Sequence, residues 1–257
     1  MKVHVLGCGP AGLLAAHAAQ QRGMDFRIHS IKVPSEIKGA QFMHQHVNGI
    51  TSVDPDVMVQ FQKWGYPGTY AEKVYGDPEA TTSWDEYPEG EVAAWGMVET
   101  YGKLWEKYEW FITDTEVRSP YIEELLHEDA GSIVISTITP QGYCTGEHDF
   151  QWQEVWIDDV CAAPTVDALD NVVIYNGSES EPWYRTSMIM GHGSTEYGFS
   201  NKPDHIFKRS RKPLGTDCDC LTMYDNFHRV GRFGKFEKGQ LVSDAYTDTE
   251  EILDALL

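Results

Sequence analysis

Basic residues are scarce. The 257-residue chain carries 20 Lys+Arg against 40 Asp+Glu, a formal charge of −20, and so lacks the clustered cations that gripping a phosphate backbone requires. Direct nucleic-acid binding is not expected. Cysteines are few and odd in number, at 8, 144, 161, 218 and 220. That is no secreted disulfide framework and suits a reducing, cytoplasmic setting. No run of about 18 apolar residues occurs, which removes a membrane span from the reading. Met1-Lys2 passes straight into a strand pattern with no small-residue cleavage site, so a signal peptide is not expected. What the chain does have is 41% hydrophobic and 12% aromatic residues, enough for an ordered core in one large domain or two small ones.

The charge is unevenly placed along the chain. Residues 1–50 hold 5 basic and 2 acidic side chains, residues 51–200 hold 6 and 28, and residues 201–257 hold 9 and 10. Both ends are nearly neutral and the middle carries −22.

Lys2 to Leu6 reads as a short buried strand that runs into Gly7-Cys8-Gly9-Pro10-Ala11-Gly12. Ala11 to Arg22 is rich in Ala and Leu, as a helix packed on a sheet should be, Gly23 ends it, and Phe26 to Ser30 reads as a second strand. A G-x-G-x-x-G match in that β-α-β context is a dinucleotide-binding fingerprint. Gly7 makes the tight turn, Gly9 leaves room for a pyrophosphate, Gly12 allows close helix–strand contact, and the helix start at Pro10 and Ala11 faces the anion. The second strand ends in Ser30 rather than the acidic residue that binds a ribose hydroxyl, and Lys32 follows. Ser30 with Lys32 can also hold a 2′-phosphate, so FAD and NADP both stand at this point.

Several segments resemble FAD enzymes of the glutathione-reductase-2 type, the group of UDP-galactopyranose mutase, amine oxidases and protoporphyrinogen oxidase. Ser35 to Phe42, with Lys38, Gly39, Ala40 and Gln41, resembles the segment that lies along the flavin. Val230-Gly231-Arg232-Phe233-Gly234 is similar to the second cofactor motif of the mutases. That resemblance implies Gly231 and Arg232 on the FAD pyrophosphate, and Gln240 and Leu241 at the pyrimidine edge of the flavin ring, ahead of a helix over residues 240–257. Gly131 to Ile138 is similar to the buried strand with an Ile-Ser-Thr signature before a proline, here Pro140. Asn176 and Trp183-Tyr184-Arg185-Thr186-Ser187 resemble the substrate-side strand, which puts Tyr184 and Arg185 among the catalytic candidates with His44. Small phage-encoded flavoproteins of this general shape are similar. The resemblance further implies a backbone contact to adenine near Val117.

Arg185 is the lone basic residue in 151–200. It has two readings, an anion-binding group or a partner of Glu181 or Glu196. Arg232 stands between glycines, where a guanidinium can reach a pyrophosphate. Between these segments, residues 54–64 read as a helix, 76–96 as an irregular lid, 98–111 as a helix with a core-facing aromatic stripe, 112–118 as a strand and 121–129 as a short helix. Alternation at 151–157, 171–175 and 184–190 points to an antiparallel sheet. His44-x-His46 and Cys218-x-Cys220 are not read as a metal site, because structural zinc favours two to four residues between cysteines. Lys208 to Lys212 reads as a solvated loop or as a grip on a phosphate.

The expected architecture is α/β: a Rossmann-type FAD-binding domain from 1–50, 111–145 and 215–257, and a small, largely antiparallel substrate domain from 51–110 and 146–214. The expected activity is flavin-mediated hydride transfer from a small substrate, an amine being favoured by the acidic middle. A non-redox mutase-like flavoenzyme is one alternative. An acidic nucleotide-binding protein that engages a basic partner without catalysis is the other.

Overall fold

The computed structural model describes residues 1–35, 37, 41–86, 89–128, 131–162, 170–202 and 208–256. It divides into two compact units, one of Met1–Glu36, Val98–Gln151 and Pro213–Leu257, the other of Ile37–Met97 and Trp152–Lys212.

The chain opens with β1 (Lys2–Leu6), α1 (Pro10–Gln21) and β2 (Asp25–Ser30). Four of the five residues of β1 are buried, as in a parallel strand covered on both faces. Then follow β3 (Phe42–Met43), β4 (Val57–Gly65), α2 (Pro67–Tyr75), α3 (Ser83–Glu86) and β5 (Gly90–Gly96). The helix expected over 54–64 is therefore a strand. Val57, Val59 and Phe61 alternate with Met58, Gln60 and Gln62, and Val59 and Phe61 are buried. Two β-branched residues and an aromatic at period two outweigh the Asp-Pro start signal. Residues 83–86 and 90–96 are likewise ordered elements within the expected lid.

The chain continues through α4 (Met97–Tyr108), β6 (Ile112–Asp114), α5 (Ser119–Glu128) and β7 (Ile133–Ser136). The stripe of α4 is core, with Tyr101, Leu104 and Tyr108 buried, and from Val98 onward this helix belongs to the first unit. The strand expected over 112–118 stops at Asp114. Val117 lies beyond it and packs its side chain against the cluster of Leu6, Ile122 and Val134.

Five further strands complete the middle and end: β8 (Phe150–Asp158), β9 (Val172–Gly177), β10 (Trp183–Ile189), β11 (His192–Gly198) and β12 (Lys208–Thr216). The basic run is thus a strand, not a loop. After β13 (Phe227–Arg229) come α6 (Gly231–Lys235) and α7 (Asp244–Asp254). The helix expected from residue 240 begins at Asp244, whose side chain accepts from the Leu241 amide at 2.7 Å.

In the first unit the strand order is β13-β7-β1-β2-β6, and every neighbouring pair is parallel. This is the doubly wound pattern that a dinucleotide fingerprint requires. Helix α1 packs along α7, where Arg22 pairs with Glu250 and Asp254 at 2.9 and 2.6 Å. The eight-stranded sheet runs β12-β8-β11-β10-β9-β4-β5-β3. Its described pairs are antiparallel except β4 with β9, which is parallel. Inside it lies an aromatic core, with Tyr70 edge-on to Tyr175 and Tyr184 at 5.6 and 5.9 Å.

Beneath the parallel sheet, His4 Nδ1 and His29 Nε2 stand 2.9 Å apart, and His29 Nδ1 is 2.7 Å from the Tyr121 hydroxyl. Burial, aided by the charges of His4, Lys2 and Arg27, lowers His29 from 6.5 to about 4. The folded chain thus binds fewer protons here than the unfolded chain between those values. The stability from this site is present above pH 6.5 and lost as pH falls toward 4. Melting temperatures taken between pH 7 and 4.5 should fall more steeply in the unmodified protein than in His29→Gln. Parallel curves would show that His29 does not carry the effect.

Candidate functional site

The glycine loop is closed by the backbone itself. Gly7 has φ +103°, and its amide donates to His29 O at 2.9 Å. A Cβ there would sit 2.7 Å from Thr137 Oγ1. A Cβ on Gly12 would fall 1.9 Å from the Gly7 carbonyl oxygen, so helix and strand touch main chain to main chain. Thr137, just past β7, locks the contact: its amide and hydroxyl both donate to Leu6 O, at 3.0 and 2.7 Å.

Gly9 differs from both. Its φ of −69° and ψ of 178° are open to any residue, and a Cβ would meet only Ser35 Oγ, at 3.4 Å. Among the described residues nothing forbids a side chain here, so the space above Gly9 is a cradle that a Cβ would fill. Gly9 is also the N-cap of α1, with Pro10 in the first turn and no side chain bonded across the helix start. The first-turn amides of α1 therefore receive no side-chain cap from the described residues, as at a helix start able to face an anion.

Two aromatic and polar groups steady the loop. The Tyr101 hydroxyl donates to Cys8 O at 3.1 Å and accepts from the Ser35 amide at 2.8 Å. Cys8 Sγ faces Ile31 O at 3.5 Å. Tyr101 reads in sequence only as part of a core stripe; its hydroxyl role depends on a contact across 93 residues.

At the end of β2, Ser30 bonds Ile31 O at 3.2 Å. A carboxylate does stand on the neighbouring strand. Asp114 ends β6 in register with Ser30, and its Oδ1 accepts from the Lys32 amide at 2.9 Å. Lys32 itself lies over the Trp110 ring at 5.0 Å. Asp114 escapes a linear reading because only the β2–β6 pairing brings it beside Ser30.

Gly231 is brought to the same place from the far end of the chain. It has φ +68°, and a Cβ would lie 3.1 Å from that of Ala11 and 3.3 Å from that of Ala245. Arg232 follows it at the start of α6, with Nη2 3.5 Å from Pro213 O. Gln240 and Leu241 are half-buried in the turn before α7, and the Leu241 amide is engaged by Asp244. Lys38, Gly39 and Ala40 lie outside the described residues, whereas Gln41 lies within them. Gln41 Nε2 donates to His192 O at 2.7 Å and its Oε1 accepts from Ser187 at 2.6 Å.

The second unit holds a separate charged cluster. Glu196 is 2% exposed and takes a proton donor from three sides. Tyr184 OH and Lys212 Nζ each lie 2.6 Å from Oε2, and Arg185 Nη1 is 3.4 Å from Oε1. A register shift between Trp183 and Arg185 in the β10–β11 ladder lets two consecutive residues reach one carboxylate. Burial pushes the Glu196 carboxyl up, but the cations of Lys212 and Arg185 outweigh it and hold it at about 2. Of the two sequence readings of Arg185, pairing with Glu196 is what the geometry contains.

Asn176 is likewise used at home, donating to Trp183 O at 2.9 Å and accepting from the Ser178 amide at 2.9 Å. Lys208 pairs with Asp159 at 2.8 Å, and Arg209 and Arg211 both pair with Glu154. His44 is half-buried, its ring 4.8 Å from that of Phe42, and His46 lies 6.2 Å from Trp95.

Replacing Glu196 leaves Arg185 and Lys212 facing each other without an anion. Glu196→Gln should cost about 2–3 kcal/mol, somewhat under the roughly 3–5 kcal/mol of a fully buried broken pair, since both cations keep some solvent. Urea unfolding measures it. Glu154→Gln, whose partners Arg209 and Arg211 are exposed, is the control and should leave the unfolding midpoint nearly unchanged.

No protein-family pattern and no curated protein matches the chain. Solved structures do match it in fold. A reduced UDP-galactopyranose mutase superposes with a TM-score of 0.57 at 12% identity, over 99% of this chain and 95% of that one. An HpxO variant of Klebsiella pneumoniae complexed with FAD gives 0.52 at 13% identity, over 97% and 79%. A 2-methyl-3-hydroxypyridine-5-carboxylic acid oxygenase gives 0.51 at 11% identity, over 96% and 79%. At these identities the likeness is one of fold: an α/β arrangement with a parallel sheet, shared with flavoproteins.

Proposed function

We propose that the chain is an FAD-dependent oxidoreductase that takes hydride from a small molecule. The observation that carries this reading is the space above Gly9, where the backbone accepts any residue and, among the described residues, an added Cβ would meet Ser35 Oγ alone, at 3.4 Å. A pyrophosphate over that point would meet the first-turn amides of α1 and, through Gly231, the segment that bears Arg232. Arg232 would pair with the diphosphate, and Asp114 would take the ribose hydroxyl that Ser30 is too short to hold strongly. A carboxylate at this position disfavours a 2′-phosphate, so FAD is preferred to NADP. The fold shared with a mutase, an oxygenase and an HpxO variant complexed with FAD points the same way. When bound, the flavin supplies the hydride chemistry; the chain orients it and shields it from water.

His44 is the side chain we assign to proton transfer. Tyr184 and Arg185 lose support as catalytic groups, because both are committed to Glu196. The charge no longer favours an amine. The first unit holds 11 Lys+Arg against 22 Asp+Glu and the second 9 against 18, so acidity is shared in the same proportion between them. A mutase-like chemistry is the second reading, favoured by the TM-score of 0.57. It needs cations for a sugar diphosphate. The candidates for that task, Arg185 and the 208–212 run, are bonded to Glu196, Glu154 and Asp159.

Purified protein should be yellow and release about one flavin per chain on denaturation. Gly9→Val should keep the far-UV spectrum and lose most of the flavin, because the added side chain meets the ligand and not the fold. Asp114→Ala should weaken FAD roughly tenfold, the worth of about one hydrogen bond to a charged group. Colourless protein that cannot be loaded with FAD would sink the reading. A sugar nucleotide that binds only the reduced protein would move it to the mutase alternative.

A further inference from the structure

The cysteines that looked scattered in sequence are not scattered in space. Cys144, His148, Cys218 and Cys220 converge in the first unit, and their four ligand atoms lie within 4.8 Å of one another. Cys220 Sγ is 3.8 Å from Cys144 Sγ and 3.6 Å from His148 Nε2. A tetrahedral zinc with Zn–S of about 2.3 Å and Zn–N of about 2.0 Å holds two sulfurs about 3.8 Å apart and sulfur and nitrogen about 3.6 Å apart. The two separations match that geometry, and 3.8 Å is far beyond a disulfide bond of about 2.0 Å. All five cysteines are free.

The surroundings fit a metal as well. His148 offers Nε2 to the cluster, and the Asp217 carboxylate stands 3.6 Å from Nδ1, on the side from which a carboxylate orients a ligating imidazole but just beyond hydrogen-bond range. Three thiolates and a neutral imidazole around a divalent ion leave one negative charge. The guanidinium of Arg229 answers it, with Nη2 3.8 Å from Cys218 Sγ, and it also holds Cys218 O and Cys220 O at 2.7 and 2.8 Å. The loop before β8 and the loop after β12 meet here, beside two strands that neighbour each other in the sheet. They are tied again by Asp149 N to Asp217 Oδ1 at 2.7 Å and Thr216 Oγ1 to Asp149 O at 2.6 Å.

We propose that Cys144, Cys218, Cys220 and His148 form a structural zinc site. Four protein ligands close the coordination sphere, and the soft, thiolate-rich set selects zinc over the hard cations. The one-residue spacing of Cys218 and Cys220 weighs little against this, because the other two ligands come from a loop seventy-odd residues earlier in the chain. Each thiol gives its proton to solvent as the ion binds, so affinity falls with acidity. The ion would pin the loop that feeds β13, and through Arg229 it would fix the strand whose end leads to Gly231 and Arg232.

The test is metal content by native mass spectrometry, on the full chain stripped with chelator and reloaded with zinc under reducing conditions. One zinc per chain is expected. Loading should protect Cys144, Cys218 and Cys220 from alkylation while leaving Cys161 unchanged. Cobalt(II) in place of zinc should give the intense thiolate and tetrahedral ligand-field bands. Cys220→Ser and His148→Ala should lose the metal, and Cys161→Ser should keep it. If a ligand variant fails to fold, metal content and alkylation of the unmodified chain still decide. Overturning results are no retained zinc, zinc retained unchanged by folded Cys220→Ser and His148→Ala, or a disulfide among the three cysteines in protein made in a reducing cytosol.

Discussion

Main-chain contact at one point sets the terms for the first unit. The Gly12 Cα approaches the Gly7 carbonyl so closely that a single methyl group would lie 1.9 Å from its oxygen. That approach fixes where α1 begins relative to β1, and hence where its first-turn amides point. Thr137 then clamps Leu6 from the neighbouring strand, and the same strand end receives Val230 through its amide to Ser136 O at 3.0 Å. Even Gly234 obeys the constraint, since a Cβ there would sit 2.3 Å from Ser136 O. Three distant segments therefore meet at one crowded edge of the sheet, and the uncrowded spot among them is Gly9.

The second unit is organised by charge rather than by backbone approach. A carboxylate at 2% exposure is tolerated because two cations and a phenol converge on it. Removing both partners for apolar groups need not destabilise such a site, whereas removing one does. The cluster thus fixes the register of β10 on β11 and draws β12 to the same point. This work occupies residues that a motif comparison would assign to a substrate.

What was legible in the sequence followed from local rules. The glycine loop and its flanking strand and helix are short-range patterns and are found as read, while the buried strand that the resemblance implied over 131–138 is found at 133–136. The misreadings share a cause. Residues 57–65 carry a helix start signal and a strand period together, and the partners β5 and β9 decide in favour of the strand. Tyr101, Asp114 and Glu196 act through contacts that pairing creates, so their roles have no signature in the chain around them. Charge misled in the same way: a −22 stretch along the sequence is divided between both units, because 98–151 returns to the first.

The interleaving of the units also orders their assembly. β4 pairs with β9 across more than a hundred residues, and β1 waits equally long for β7. Such long closures are slow, because the loop entropy is lost before the contacts compensate it. The second unit has all its segments once residue 212 is made, while the first still lacks 213–257, with β13, α6 and α7. On the ribosome the aromatic sheet can therefore close first. The parallel sheet of the first unit is left half-built until α7 emerges and seats against α1.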